Sequence, residues 1–357
     1  MNKLNVCILF GGMSPEHEVS LRSAESVLNI INKESYHLFP VGITKSGVWM
    51  LYGDTDYSKL PGGRWQSCKL NRRAAISPVR GQGLLIFDGE RVYTQPIDVV
   101  FPVLHGENGE DGAMQGLMQL AGIPCVGPDV AASAACMDKS LTKLIADGAH
   151  VRQAAWLLVT KRQYQADEAA VLTKVEQRFS YPVFVKPAGT GSSVGVSKAK
   201  DRAALQTALL EALKYDVKVL VEECILGQEV EVAVLGNEHP IASICGEIDS
   251  GAVFYDYDAK YLTDSARLYI PARISETAAQ NVRDAAIRVY QAMGCKGLSR
   301  VDFFVTAKDE VVFNEINTLP GFTSISMYPK LFEASGIPYA RLIDELLRFA
   351  VEAQNEA

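Results

Sequence analysis

The sequence predicts an α/β and α+β protein: an N-terminal doubly wound domain on a parallel sheet, followed by two further units built from shorter strands and helices. Three observations lead there. Strand-like and helix-like patterns alternate from residue 5 to residue 104, as they do in parallel α/β domains. A strand at residues 181–186 runs into a glycine- and serine-rich loop and then an amphipathic helix. Late in the chain, two short apolar runs at residues 298–305 and 310–316, separated by Thr306-Ala307-Lys308-Asp309, read as a β-hairpin. At 357 residues the chain is long enough for two or three domains.

Taken in order, residues 5–10 form a buried strand that ends at Gly11-Gly12, and residues 19–32 carry helical periodicity. Further strands are expected at 37–43, 92–97 and 99–104, with the ligand site at the carboxyl ends of the parallel strands. Gly127-Pro128 and a helix over 133–147 mark the passage into a second unit. There, residues 201–215 stack Leu205, Leu209 and Leu213 at four-residue spacing, an amphipathic helix, before a strand at 217–222. The third unit alternates antiparallel-looking strands with helices over 276–293 and 339–353. Its polar, tyrosine-rich stretch 254–263 has the character of a mobile lid.

Composition narrows the partners. A net charge of -7 gives no electrostatic reason to approach nucleic acid or anionic lipid. No apolar run approaches a membrane span, and the N-terminal one is too short for a signal-peptide core, so cytoplasmic residence is expected. The seven cysteines are scattered without a C-x-x-C pair, which reads as small buried hydrophobes in a reducing compartment.

The hairpin carries the most chemistry. A turn at Lys308-Asp309 sets Asp302 opposite Glu315 and Arg300 opposite Asn317, all four on one face because strand side chains alternate. Opposed carboxylates repel unless a cation lies between them. Two carboxylates and an amide oxygen are hard ligands suited to Mg²⁺, which completes its shell with water and phosphate oxygens.

Elsewhere the residues leave alternatives open. Glu16, at the start of a helix, serves either as a dipole-favouring cap or as a ligand for an ammonium. Lys186-Pro187 before Gly189-Thr190-Gly191-Ser192-Ser193 is either a phosphate cradle or a flexible turn beside a solvated lysine. His105, at a strand end, is either structural or functional. No G-x-G-x-x-G or Walker A pattern is present, which disfavours dinucleotide and P-loop chemistry.

Together these residues resemble the D-alanine–D-alanine ligase family of the ATP-grasp superfamily. The likeness runs through Gly11-Gly12, Glu16-His17-Glu18-Val19-Ser20, Leu104-His105-Gly106, Gly109-Glu110-Asp111-Gly112, Met137-Asp138-Lys139, Val185-Lys186-Pro187, Gly191-Ser192-Ser193-Val194-Gly195, the stretch at 255–261, and Asn314-Glu315-Ile316-Asn317. The resemblance implies an N-terminal substrate-binding domain at 1–127 and a two-part ATP-grasp fold, with a central subdomain at 128–221 and a C-terminal catalytic domain at 222–357. It also implies ATP-dependent joining of two D-alanines through a D-alanyl phosphate, for peptidoglycan precursors, by a homodimer.

By the same resemblance Lys139, Lys186 and Ser193 hold the ATP phosphates, and Glu222, the backbone near Ile225, and Glu229 hold adenine and ribose. Asp302, Glu315 and Asn317 bind two Mg²⁺ (or Mn²⁺) ions. Glu16 grips the first D-alanine's ammonium beside His105, and Ser192 and Tyr261 bridge from Glu16 to the lid, whose Lys260 reaches the phosphate. Arg300 and the Gly321 N–H hold developing negative oxygen. Ser326 and the backbone at Met327 receive the second D-alanine's carboxylate. Lys260, Tyr261 and Met327 match the dipeptide-forming type and not the D-lactate type, whereas D-serine in the second position is a close alternative.

Overall fold

The first apolar run forms β1 (Leu4–Gly11), and its residues 6–10 are wholly buried. A continuous apolar strand is one covered on both faces. In the computed structural model, which describes residues 3–249 and 267–355, β1 pairs in parallel with β2 (Tyr36–Ile43) on one side and with the strand Val99–Val103 on the other. Helix α1 (His17–Ile30) packs Leu21, Ala24, Val27 and Leu28 onto Val6, Ile8 and Phe10. Cys7 and Leu9 point the opposite way, towards Met114 and Met118 of α2 (Ala113–Ala121). The doubly wound expectation is met at this parallel core.

Beyond β2 the sheet continues antiparallel through β3 (Trp49–Leu51), β4 (Arg72–Ile76), β5 (Leu84–Asp88) and β6 (Arg91–Gln95); with β7 (Val99–Val103) the order is β6-β5-β4-β3-β2-β1-β7. The helix expected over 133–147 is broken in two, α3 (Val130–Met137) and α4 (Lys139–Gly148). Asp138 is the reason. Its backbone is extended (φ -86, ψ 102) and its carboxylate accepts from the Ser140 N–H at 2.9 Å, capping α4.

A second sheet follows, made of β8 (Trp156–Thr160), β9 (Val183–Pro187), β10 (Ser197–Ala199) and β11 (Lys218–Glu223) in the order β10-β9-β11-β8. α5 (Lys161–Ala166) and α6 (Glu168–Arg178) stand between β8 and β9. α7 (Arg202–Tyr215), capped by Asp201, buries the expected Leu205, Leu209 and Leu213. The third sheet comprises β12 (Gln228–Leu235), β13 (Ile241–Asp249), β14 (Arg267–Tyr269), β15 (Leu298–Val305) and β16 (Val311–Asn317), ordered β14-β13-β12-β15-β16. One face packs Val230, Val301, Phe303 and Phe313 against α8 (Glu276–Ala292). The closing helices α9 (Met327–Ala334) and α10 (Tyr339–Asn355) return to the first core, where Leu342, Ile343 and Leu346 join the residues of α1 and β1. The lid stretch 254–263 lies outside the described residues, as do Lys260 and Tyr261.

The hairpin registers are Arg300 with Asn317 and Asp302 with Glu315, as expected, but the turn differs. Thr306 pairs with Glu310, closing a three-residue loop that ends at Asp309 in the left-handed region (φ 59). A one-residue shift between Asp302 and Phe303 restores the register, leaving Asn314 as the extra residue of a β-bulge. Among the described residues, no helix is long and apolar enough to cross a membrane.

Candidate active site

One cavity of about 690 Å³ opens where the three sheets meet. Its lining includes Glu16, His105, Lys139, Lys186, Ser192, Ser193, Glu222, Ile225, Glu229, Arg300, Asp302, Glu315, Asn317 and Gly321.

The carboxyl ends of β1 and β7 supply one end. The chain turns sharply after β1 at Gly11, in the left-handed region (φ 89), where a Cβ would lie 2.1 Å from the Ile43 carbonyl oxygen. That turn delivers Glu16 to the mouth of α1, where its Oε1 accepts from the Ser192 hydroxyl at 2.5 Å. His105 is buried; its Nδ1 lies 3.1 Å from the Leu319 carbonyl and its Nε2 3.3 Å from the Ser23 hydroxyl. Burial holds this imidazole below its usual pKa despite the nearby Glu16 charge. Glu110 completes the group, its Oε2 accepting from the Gly106 N–H at 2.6 Å. Burial, reinforced by Glu16, pushes its carboxyl up to about 8.

The glycine-rich loop forms the middle. Ser192 and Ser193 both adopt left-handed backbones (φ 50 and 57), an uncommon conformation outside glycine. The Gly189 N–H donates to Asp216 at 2.7 Å, and Lys139 Nζ donates to the Thr190 carbonyl at 2.6 Å. Lys186 Nζ reaches Glu222 Oε2 at 2.9 Å and Asn314 Oδ1 at 3.2 Å. Burial draws both lysine pKa values down; for Lys186 the carboxylates led by Glu222 outweigh it and lift the ammonium above its usual value, whereas for Lys139 burial prevails. Glu222 is fully enclosed, with its other oxygen 3.2 Å from Lys143 Nζ. Burial works to raise its carboxyl, and Lys186 and Lys143 overcome it, leaving the group below its usual pKa.

The hairpin forms the far end. Arg300 engages Asp302 through Nε to Oδ1 at 2.8 Å and Nη2 to Oδ2 at 2.7 Å, and its Nε lies 3.1 Å from Glu231 Oε2. Asn317 donates its amide N–H to Asp302 Oδ2 at 3.0 Å. Burial alone would weaken the Arg300 cation, but Asp302 and Glu231 more than offset it. Among the described residues, no three His, Cys, Asp or Glu side chains gather into a ready-made cage. The donor set is instead two opposed carboxylates and an amide, which fits a hard divalent cation sharing its shell with phosphate oxygens.

The family description D-ala D-ala ligase N-terminus matches residues 5–128, and D-ala D-ala ligase C-terminus matches residues 145–348. The chain belongs to the D-alanine–D-alanine ligase family. Among ligases of that name, the one from Caldicellulosiruptor bescii is 48% identical, covering 100% of this chain and 97% of its own length. The one from Clostridium acetobutylicum is also 48% identical, covering 99% of each. The solved VanG D-Ala:D-Ser ligase from Enterococcus faecalis superposes with a TM-score of 0.89 at 38% identity, covering 98% of this chain and 100% of that one. The D-alanine-D-alanine ligase from Coxiella burnetii gives 0.85 at 34% identity, covering 99% and 97%.

Two expected family positions stand off the cavity. Ser326 does not line it, although its hydroxyl would lie 2.9 Å from a Cβ at Gly321, which does. Met327 is 6% exposed at the start of α9, its side chain packed towards Gly246. The ligase cavity also contains residues to which sequence reasoning gave no role: Glu110, Lys143, Glu231 and Asn314. For Lys143 and Glu231 a signal existed, since Lys143 is one helical turn from Lys139 and Glu231 two strand positions from Glu229.

Proposed function

We infer that this cavity joins two D-alanine molecules into D-alanyl-D-alanine, using ATP and passing through a D-alanyl phosphate, as a step towards peptidoglycan precursors. The observation that carries the reading is the convergence on one cavity of Glu16 with Ser192, of Lys139 and Lys186 beside the glycine loop, and of the Asp302, Glu315 and Asn317 set.

Glu16, oriented by Ser192, takes the ammonium of the first D-alanine next to His105. The carboxylate of that D-alanine attacks the γ-phosphorus and ADP leaves, a step governed by alignment and charge neutralisation. Lys139, Lys186 and the Ser193 region of the loop hold the phosphates, and Glu222, the backbone near Ile225, and Glu229 form the adenine and ribose side. Asp302, Glu315 and Asn317 would hold two Mg²⁺ (or Mn²⁺) ions, whose contribution is to neutralise phosphate charge. When the second amine attacks the acyl carbon, Arg300 and the Gly321 N–H stabilise the oxygen that gains charge until the acyl–oxygen bond breaks and inorganic phosphate leaves. Ser326 and the Met327 N–H receive the second carboxylate, as helix starts do. Lys260 and Tyr261 are assigned to a lid by resemblance alone. In this reading residues 1–127 bind the first substrate, 128–221 and 222–357 hold ATP between them, and the chain works as a cytoplasmic homodimer without nucleic-acid or membrane partners.

The likeness to a D-Ala:D-Ser ligase favours one second reading, D-serine as the second substrate. A D-serine hydroxyl is weakly rejected by an apolar pocket. The deciding experiment is ATP-dependent phosphate release with Mg²⁺ and D-alanine, alone or with equimolar D-serine, with products identified by mass. D-alanyl-D-alanine as the main product supports the first reading, and D-alanyl-D-serine dominating the mixture replaces it with the second. No release with either overturns both.

A further inference from the structure

Four lysines line the cavity, Lys139, Lys143, Lys186 and Lys198, and the function above uses only Lys139 and Lys186. Of the other two, Lys143 is the buried one. It lies on α4 one turn beyond Lys139, so both project from the same helix face. Lys139 reaches outward to the glycine loop through the Thr190 carbonyl. Lys143 turns inward and is 2% exposed, its Nζ 3.2 Å from Glu222 Oε1. Among the described residues it makes no other ion pair. Glu222 is thereby divided between two cations, Lys143 at one oxygen and Lys186 at the other, 2.9 Å away. Lys186 in turn spans from Glu222 to Asn314, the extra residue of the β16 bulge.

A buried carboxylate shared in this way has its orientation fixed by both partners. Without Lys143 the Glu222 charge would rest on Lys186 alone, which would then turn fully onto the carboxylate and away from Asn314. We propose that Lys143 is a positioning residue for the nucleotide, holding one oxygen of Glu222 so that Lys186 remains extended towards the phosphate side of the cavity. It touches no reacting atom and acts through Glu222. The inference rests on the reading that ATP occupies this end of the cavity.

The test compares the wild-type protein with Lys143→Met, which keeps the stem and removes the charge, and Lys143→Arg, which keeps the charge. Steady-state kinetics are measured separately for ATP and for D-alanine, alongside thermal unfolding. Loss of one partner from a buried pair is severe, so Lys143→Met should lower kcat/KM for ATP by roughly 30-fold or more, while KM for the first D-alanine moves by less than about threefold. Lys143→Arg should recover ATP kinetics to within about fivefold of wild type. A general structural role would depress both substrates alike and would not depend on charge. The proposal is overturned if Lys143→Met keeps ATP kinetics within about twofold of wild type, if the two substrates lose equally, or if Lys143→Arg fails to recover. Should Lys143→Met not fold, Lys143→Arg decides alone by the same limit. A wild-type protein that does not use ATP would refute the underlying function instead, which keeps the two failures apart.

Discussion

Replacing Glu315 with Gln separates the electrostatic role of the hairpin from its structural one. Without a divalent ion, Glu315 faces Asp302 directly across β15 and β16, and that like-charge opposition costs about 0.2–1 kcal/mol. The same carboxylate favours the charged forms of Lys139, Lys186 and Arg300, which offsets part of the gain from removing it. The two contributions have opposite sign. In EDTA the variant should therefore unfold within about 1 kcal/mol of wild type. In Mg²⁺ and ATP the balance shifts, because one of two carboxylates facing the ion has lost its charge. A loss of about 3 kcal/mol of stabilisation corresponds to turnover reduced roughly 100-fold, with a higher Mg²⁺ requirement. The assay is phosphate release across a Mg²⁺ titration, paired with thermal melts in EDTA and in Mg²⁺ with ATP. Near-normal turnover at saturating Mg²⁺ would refute the two-carboxylate site, and a loss of several kcal/mol in EDTA would show that Glu315 is instead a structural anchor.

Two further outcomes follow from the substrate end of the cavity. Ser192→Gly removes the 2.5 Å bond to Glu16 while suiting the left-handed backbone at that position. It should raise KM for D-alanine about 10- to 100-fold and leave KM for ATP within about threefold; equal effects on both would refute the assignment. Glu110 should make stability depend on pH. Its folded carboxyl is raised to about 8 from an ordinary 4.5, so its contribution is complete below about pH 4.5 and is lost as pH rises through about 8. Glu110→Gln stays neutral and keeps an acceptor for the Gly106 N–H, so its advantage over wild type in thermal melts should grow from pH 5 to pH 8.5, reaching on the order of 2–4 kcal/mol. An advantage that stays flat with pH would refute the raised carboxyl.

Much of the site was legible because its chemistry is local. Asp302, Glu315, Arg300 and Asn317 share a face by strand alternation, and Glu16 and His105 follow the carboxyl ends of β1 and β7, whose position follows from parallel topology. What stayed hidden depends on distant contacts. Lys143 is visible as one turn from Lys139, but its partner Glu222 lies on β11, far along the chain. Glu231 acquires its role only through the register that sets β12 beside β15, opposite Asp302. Of the antiparallel extension of the first sheet only β6 was expected, at 92–97; β3 is three residues long and β4 begins with Arg72-Arg73, which hid them from pattern reading. Asp138 escaped because a capping side chain between two helical runs leaves hydrophobic periodicity almost intact.

The Asn314 bulge sets how many working groups one strand can offer. A regular strand rises about 3.4 Å per residue and shows every second side chain to a given face, so four consecutive positions present two. With one residue added, the polar Asn314, Glu315 and Asn317 all line the cavity, while Phe313 remains in the core. Three polar groups are thus packed into a length that ordinary pleating fills with two. Deleting Asn314 would return the strand to simple alternation, so the bulge raises the density of polar groups that β16 turns towards the cavity, and Lys186, which donates to Asn314, would be the first residue to register the loss.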